Sequence, residues 1–456
     1  MYIIRKYLNS RLYLLTVLVI SMAFWLIAYL SHNNIIDSNI QKLVENISLL
    51  TFGAICFIVL VFNHNTFYFV PWVIFIPFVF ARPFTALEIP KMIYVAGGIL
   101  VLGIILNLII YRPALKIGHF FFGLLALAIA FSLGGINNHI ENYHLQLFVG
   151  ILCSVSFVLL YVIVSSSAKT TFKMTSRMFT YLGILLAFEL FVYFLIQPSL
   201  KDALLSKASD VGWGISNNIA LMLLFTIPFT AYLVLTSKNI KAIMYVILLV
   251  IECVSIVFTY SRGAMFSMFV CAAVMIPLSI WKAEDRVTTS ISIGVLLFGI
   301  VITILYFAIF KPNYYNRFIE LAFKLDLDNM NGRRPIYIDC INSLKEYPIF
   351  GKGVLSTFED NGTYAWGHST ILQTVRTMGW VGIIAMSFHL GEKYYALFYR
   401  PSLWKMIVAS SFIFSGLYGL FDVSYYFINY MIPLVFAMAV IECLYRGGGQ
   451  DEYELL

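Results

Sequence analysis

The stretch TTSISIGVLLFGIVITILYFAIF, residues 288–310, runs for 23 positions without a charged side chain. Coiled as an α-helix, it is long enough to cross the roughly 30 Å hydrocarbon core of a bilayer. Similar runs recur along the chain. Fourteen candidate spans are read at about 12–30, 47–62, 67–81, 92–110, 118–133, 145–165, 178–196, 218–236, 242–259, 263–281, 288–310, 371–390, 406–421 and 427–444. The third is short and carries Pro71 and Pro77, so twelve to fourteen crossings are expected.

Composition agrees with this reading. Of 456 residues, 61% are hydrophobic and only 12% are charged, against roughly 25% charged in soluble domains. Mean hydropathy is +0.87. A soluble enzyme, a disordered chain and a nucleic-acid binder are excluded. A porin-like barrel would need short alternating strands in place of long apolar runs. The expected fold class is all-α, a polytopic helical membrane protein with one long extracytoplasmic loop. Five of the six cysteines (Cys56, Cys153, Cys253, Cys271 and Cys443) fall in apolar spans, Cys340 does not, and no C-x-x-C pair occurs. Neither a disulfide framework nor a zinc site is indicated.

The net charge of +7 is distributed in a way that sets orientation. With a cytoplasmic N-terminus, the inside segments hold sixteen Lys and Arg, with Lys393 among them in the loop after the twelfth span, and the short outside loops hold six. Both termini are therefore expected in the cytoplasm. The first span follows Arg5, Lys6 and Arg11 without a small-residue cleavage site and reads as an uncleaved signal anchor. Eight further cations lie between Lys311 and Arg376, mostly in the loop at about 311–370. Two helices are expected there. Phe318, Ala322, Phe323 and Leu325 suggest an interfacial amphipathic helix. Tyr337, Cys340, Ile341 and Leu344 follow the spacing of one apolar helical face, which Pro335 starts and Pro348 ends. The tail 447–456 is set aside.

Within this frame a few residues carry chemistry. Arg333 and Arg334 stand just ahead of a predicted helix N-terminus, where guanidinium forks and free backbone N–H groups suit a phosphate. Arg262, in Tyr260-Ser261-Arg262-Gly263-Ala264, lies at the outer junction of two spans. It reads either as part of that anion site or as an arginine snorkelling to lipid headgroups. His368, in Trp366-Gly367-His368-Ser369, opens the twelfth span. It reads either as a base for a sugar hydroxyl or as a helix-end residue bonding a loop carbonyl.

These motifs resemble a known family. His368-Ser369, nine residues, then Gly379-Trp380-Val381-Gly382 is similar to the H-[NSQ]-x9-G-x-x-[GTY] signature of the bacterial O-antigen ligase and polymerase superfamily. Tyr260–Ala264 resembles its arginine motif, although Phe266 stands where that motif often has Leu. Gly332-Arg333-Arg334 with Pro348-Ile349-Phe350-Gly351-Lys352-Gly353 resembles its loop pattern, and Gly419-Leu420-Phe421-Asp422 its late Asp-bearing stretch. The resemblance spans about 255–425. It divides the chain into N-terminal transmembrane helices at 1–254, a catalytic region at 255–425, a last transmembrane helix at 426–446 and a tail.

The resemblance implies a metal-independent, cofactor-free GT-C-type glycosyltransferase in the bacterial inner membrane. Its expected partners are an undecaprenyl-pyrophosphate-linked oligosaccharide, an acceptor glycan or lipid, membrane lipids, and a flippase and chain-length regulator. It implies His368 as base or acceptor positioner, with Arg262 and Arg334 on the pyrophosphate. Spacing favours Arg334 over its neighbour. Arg333, Arg376 and Asp422 are expected to assist substrate binding. His368–Gln373 is more similar to Gram-positive polymerases than to ligases, so polymerisation of surface polysaccharide repeats is expected, with an O-antigen ligase as the alternative. A lipid-linked glycan flippase is the rival from another class, because Glu189 and Glu252 fall inside spans.

Overall fold

A computed structural model describes residues 2–82, 91–136, 147, 150, 154–199, 203, 210–212, 214–323, 333–354, 356, 367–425 and 428–447. Cys153, Lys201, Lys207, Lys324, Leu325, Gly332, Tyr364, Trp366 and the tail beyond Gly447 lie outside the described residues. The helices are α1 (Tyr2–Leu8), α2 (Arg11–His32), α3 (Ile40–Phe62), α4 (Val70–Phe75), α5 (Lys91–Tyr111), α6 (Phe121–Leu133), α7 (Ser156–Ser167), α8 (Phe172–Ile196) and α9 (Ser216–Leu235). They continue as α10 (Ile240–Phe258), α11 (Arg262–Lys282), α12 (Arg286–Phe310), α13 (Pro312–Phe323), α14 (Arg334–Glu346), α15 (Thr370–Phe398), α16 (Leu403–Tyr418) and α17 (Ile428–Gly447). Two two-residue strands, Asp210–Val211 and Gly214–Ile215, pair antiparallel ahead of α9.

Among the described residues, nine helices are long and apolar enough to cross a membrane: α2, α3, α5, α8, α9, α10, α11, α12 and α15. Shorter apolar helices account for four of the remaining five candidates, around 66–79, 121–133, 156–167 and 403–418, and the fifth, 427–444, corresponds to α17. The protein is an all-α, multi-pass membrane protein. Packing explains why all these helices are apolar. The side chains of α9 are almost all buried, whereas α12 turns Val295, Phe298, Ile302 and Ile309 outward. Apolar residues exposed on this scale need hydrocarbon around them.

The chain folds as two compact units. One comprises Met1–Pro113, Ala168–Lys324 and Ser410–Phe414, and the other Ala114–Ser167, Leu325–Ala409 and Ser415–Leu456. In the first, α9 packs against α8, α10 and α11. Glu252 of α10 is fully buried there, and Thr230 Oγ1 stands 3.0 Å from both Glu252 Oε1 and Thr180 Oγ1. The Thr230 hydroxyl thus links α8, α9 and α10. The third candidate span is broken, as Pro71 and Pro77 predict: 3-10 turns at Thr66–Phe69 and Ile76–Val79 flank α4. Phe67, Trp72, Phe75 and Phe78 are buried, so this piece is core of its unit.

Both loop helices exist, with one change of face. In α14, Cys340 and Ser343 are buried while Ile341 is 51% exposed, so the buried stripe is narrower and more polar than its spacing suggested. Asp339 and Ser343, one turn apart, belong to the packed side; the Ser343 hydroxyl donates to Asp339 O at 2.7 Å. Lys393, counted above as a loop cation, lies inside α15 and is buried.

In the second unit α15 is broken at Gly379, which takes φ +56° and ψ −145°. The turn from Pro348 to Gly353 docks into the break. Lys352 N donates to Arg376 O (2.7 Å) and Gly353 N to Thr377 O (3.2 Å). Trp380 N and Val381 N donate to Pro348 O (2.8 Å) and Ile349 O (3.1 Å). A Cβ on Gly379 would overlap Pro348 O, and one on Gly351, at φ +66°, would come within 2.6 Å of Arg376 O. The glycines of both motifs are thus needed for one joint. Gly379→Ala should cost about 1–3 kcal/mol of stability from backbone strain alone, read as a lowered melting midpoint in detergent. Gly391→Ala in the same helix, where a Cβ meets no atom within 4 Å, should leave the midpoint unchanged or raise it.

Candidate functional site

The start of α15 is stapled to the turn that follows α16. Thr370 N donates to Gly419 O at 2.7 Å, Ser424 N donates to Thr370 Oγ1 at 3.0 Å, and the two hydroxyls of Thr370 and Ser424 are 3.0 Å apart. This brings His368 and Asp422 together across 54 residues of chain, with His368 Nδ1 3.3 Å from Asp422 Oδ1. His368 has φ +45°, a left-handed conformation that surrounding contacts must hold in place. The Tyr337 hydroxyl, on α14, donates to His368 O at 3.4 Å.

Asp422 is the hub. Val423 N donates to its Oδ1 at 2.8 Å, Tyr418 Oη donates to Oδ2 at 3.3 Å, and Arg333 Nη2 lies 3.8 Å from Oδ2. Arg333 Nη1 also donates to Phe421 O. Burial favours the neutral acid, but the His368 hydrogen bond and charge, the Val423 N–H and the Arg333 guanidinium outweigh it. The carboxyl is held below its ordinary range. A buried carboxylate with this many donors stays ionised. It can orient the His368 ring so that Nδ1–H points inward and Nε2 keeps its lone pair.

The two adjacent arginines differ in exposure and contacts. Arg333 precedes α14 and reaches Asp422, whereas Arg334, the first residue of α14, is exposed. Pro335 occupies the first turn of α14, and the side chain of Arg333, the residue at its N-cap, makes no capping hydrogen bond. An exposed guanidinium beside an uncapped helix start suits an anion.

Arg376 occupies a different network. Its side chain is fully buried; Nε donates to Asp339 Oδ2 and Nη1 to Ser356 Oγ, both at 2.8 Å. Lys352 Nζ approaches Asp339 Oδ1 at 3.5 Å and Glu346 at 3.3 Å. Asp339 and Ser356 were not singled out from the sequence, Tyr337 was read only as part of an apolar helical face, and Lys352 only as a position within the loop motif. Asp339 and Lys352 are ordinary loop charges by composition, and only the fold pairs them. Cys340, beside Asp339, is buried, which pushes its thiol up to about 12; it is inert at neutral pH.

Arg262 belongs to the first unit, at the first turn of α11. Ser261 precedes the helix without a side-chain cap, and Tyr260 turns the chain with φ +51°. The Tyr260 ring packs on Phe318 of α13 at 5.8 Å between centroids, so α13 lies against the arginine turn.

Residues 244–387 match the family model described as O-antigen ligase. The match includes Arg262, Arg333, Arg334, His368 and Gly379 and stops short of Asp422. It supports placing the chain in the O-antigen ligase/polymerase superfamily, with a membrane glycosyltransferase-like role of the ligase or polymerase class. No curated protein matches the sequence.

Two outcomes follow from this geometry. Asp422→Asn removes the negative charge that faces His368 and Arg333 and turns one of the two acceptor oxygens into a donor, and should destabilise the protein by about 1.5–3 kcal/mol. Because the Asp422 carboxyl is held below its ordinary value of 3.8, its stabilisation is fully present above 3.8 and is lost as pH falls through the depressed native value. Its own titration should therefore change the wild-type-minus-variant melting difference only below about pH 4. Asp339→Ala leaves a buried guanidinium with its carboxylate removed and should cost about 3 kcal/mol or more, measured by the same melts.

Proposed function

We propose that this protein transfers a glycan from undecaprenyl pyrophosphate to an acceptor hydroxyl on the outer face of a bacterial cytoplasmic membrane, extending surface polysaccharide, with both of its own termini in the cytoplasm. The observation that carries this reading is the pairing of His368 with a buried, multiply bonded Asp422. Asp422 holds Nδ1, and Nε2 takes the proton of the acceptor hydroxyl as its oxygen attacks the anomeric carbon. The bond from that carbon to the pyrophosphate oxygen breaks with inversion, and undecaprenyl pyrophosphate leaves as the anion. Pyrophosphate is already a good leaving group, so cations need only bind and neutralise it.

Arg334, exposed at the start of α14, is the group proposed to meet the pyrophosphate. Arg262 is proposed for the same role on its motif alone. Arg333 positions Asp422 while keeping part of its guanidinium exposed, and the buried Arg376 holds the loop of Asp339 and Ser356 in place. The family description, O-antigen ligase, favours a second reading in which the finished chain passes to lipid A core or to another acceptor. A flippase is third: Glu252 is engaged by Thr230 between helices, as expected of a structural carboxyl.

Liposomes holding only this protein and its undecaprenyl-pyrophosphate repeat unit distinguish the readings by product length. A polymerase makes chains longer than one unit. A ligase makes none until an acceptor is added, and movement of unchanged lipid across the bilayer would mean a flippase. His368→Ala should lower transfer by roughly 10²- to 10⁴-fold, far more than its lowered melting midpoint accounts for at a temperature where the protein is still folded, and near-normal product would discard His368 as the base. Arg334→Ala and Arg262→Ala should each weaken use of the lipid-linked donor.

A further inference from the structure

A second group of cations lies wholly inside the first unit and takes no part in the proposed transfer. The N-terminal ends of α2, α8 and α10 and the C-terminal end of α9 border an open cavity of about 320 Å³ lined by Arg11, Lys173, Arg177, Lys238 and Lys241. It sits at one end of α10, while Arg262 follows the other end. A 19-residue helix separates the two by roughly 28 Å. By the charge count this end faces the cytoplasm.

Cations at this side of a membrane protein are common, and most simply reach to water or headgroups. Three observations make this group a cavity site. Its five cations face few carboxylates: Glu284 lies 3.7 Å from Lys238, and Asp285 is occupied by Asn239 N at 3.0 Å and Thr288 N at 3.1 Å. Among the described residues Arg177 Nε is shut off from solvent with no hydrogen-bond partner, on a side chain otherwise only partly buried, and such an atom is costly unless an acceptor is supplied. The cavity also includes the start of α10, where Asn239, at φ +51°, provides no side-chain cap, so the positive end of the helix adds to the field.

Lys173 is held by backbone, its Nζ donating to Thr236 O at 3.2 Å at the end of α9. Tyr245 lines the same space and brings a hydroxyl donor to it. Multiple cationic forks, an uncapped helix start and a hydroxyl suit the tetrahedral oxygens of a phosphate.

We propose that this cavity binds a phosphate-bearing anion on the face of the membrane opposite Arg262, as the phosphodiester of an anionic lipid headgroup or as soluble phosphate. Bound there, the anion would tie α2, α8, α9 and α10 together at their ends and so stabilise the unit that carries Arg262.

The test uses the full chain. Binding of phosphatidylglycerol is counted by native mass spectrometry, and melting midpoints are read in phosphatidylcholine nanodiscs with and without phosphatidylglycerol. A parallel arm adds inorganic phosphate or pyrophosphate. Arg11→Gln and Lys241→Gln, both at exposed positions, should each weaken phosphatidylglycerol binding about fivefold and reduce the rise in midpoint. Arg177→Gln should do so more strongly. Lys282→Gln, a cation outside the cavity, should change neither. A response to soluble phosphate alone, lost in the same variants, would keep the site and assign it to the soluble anion. Equal loss with Lys282→Gln, or binding unaffected by all three cavity variants, would overturn the proposal.

Discussion

Four backbone hydrogen bonds between the Pro348–Gly353 turn and the break at Gly379 decide what the second unit can hold. A transmembrane helix keeps its amides paired internally because lipid offers no alternative partner. Breaking α15 would leave the carbonyls of Arg376 and Thr377 and the amides of Trp380 and Val381 unsatisfied, at about 1–3 kcal/mol each. The turn supplies all four partners, so the kink and the turn exist only together. Their joint anchors the C-terminal end of α14 to α15. From there Arg376 reaches Asp339 one way, and the α15 segment leading back to Thr370 and His368 is set in the other.

A second constraint is electrostatic. Asp422 and Arg376 are both ionic groups held away from water, and each survives there because partners converge on it from distant parts of the chain. For Asp422 those partners are His368, Arg333, Tyr418 and the Val423 amide. For Arg376 they are Asp339 and Ser356. Buried pairs of this kind add little net stability over an apolar core, but removing one partner is expensive. Their effect is to fix geometry: each locks a side chain of α15, or the residue just ahead of it, against α14 or the turn after α16.

How much of this could be read in the sequence follows from the range of each interaction. The apolar spans are local, and so were legible: 288–310 and 218–236 reappear as α12 and α9. The proline-broken third span was legible for the same reason, as were Pro335 at the start of α14 and the glycines of the two motifs. Periodicity misassigned Ile341 because it weighs only hydrophobicity, while α14 buries the side that carries Cys340 and Ser343. Lys393 was misassigned because a helix end was set by the last apolar residue, and the buried lysine is accommodated by the hydroxyl of Tyr425, 32 residues away. The Asp339–Arg376 pair spans 37 residues, and no local pattern announces it. Asp422 was noticed only through resemblance, and its pairing with His368 emerged only from the fold.

The adjacent arginines show why residue-level structure sharpens a motif. Both stand at the same helix start with the same charge, and spacing alone only leaned towards Arg334. The structure gives Arg333 a carboxylate and a carbonyl at the turn after α16, which commits part of its donor set to holding the site. Arg334 sits one residue later on an exposed turn beside an uncapped helix start. A group that must bind and then release a pyrophosphate needs donors that are free between turnovers, whereas a group that orients a base must stay in place. On that argument the proposed transfer divides the work of the pair: Arg333 would keep Asp422 charged and aligned with His368, and Arg334 would meet the leaving group.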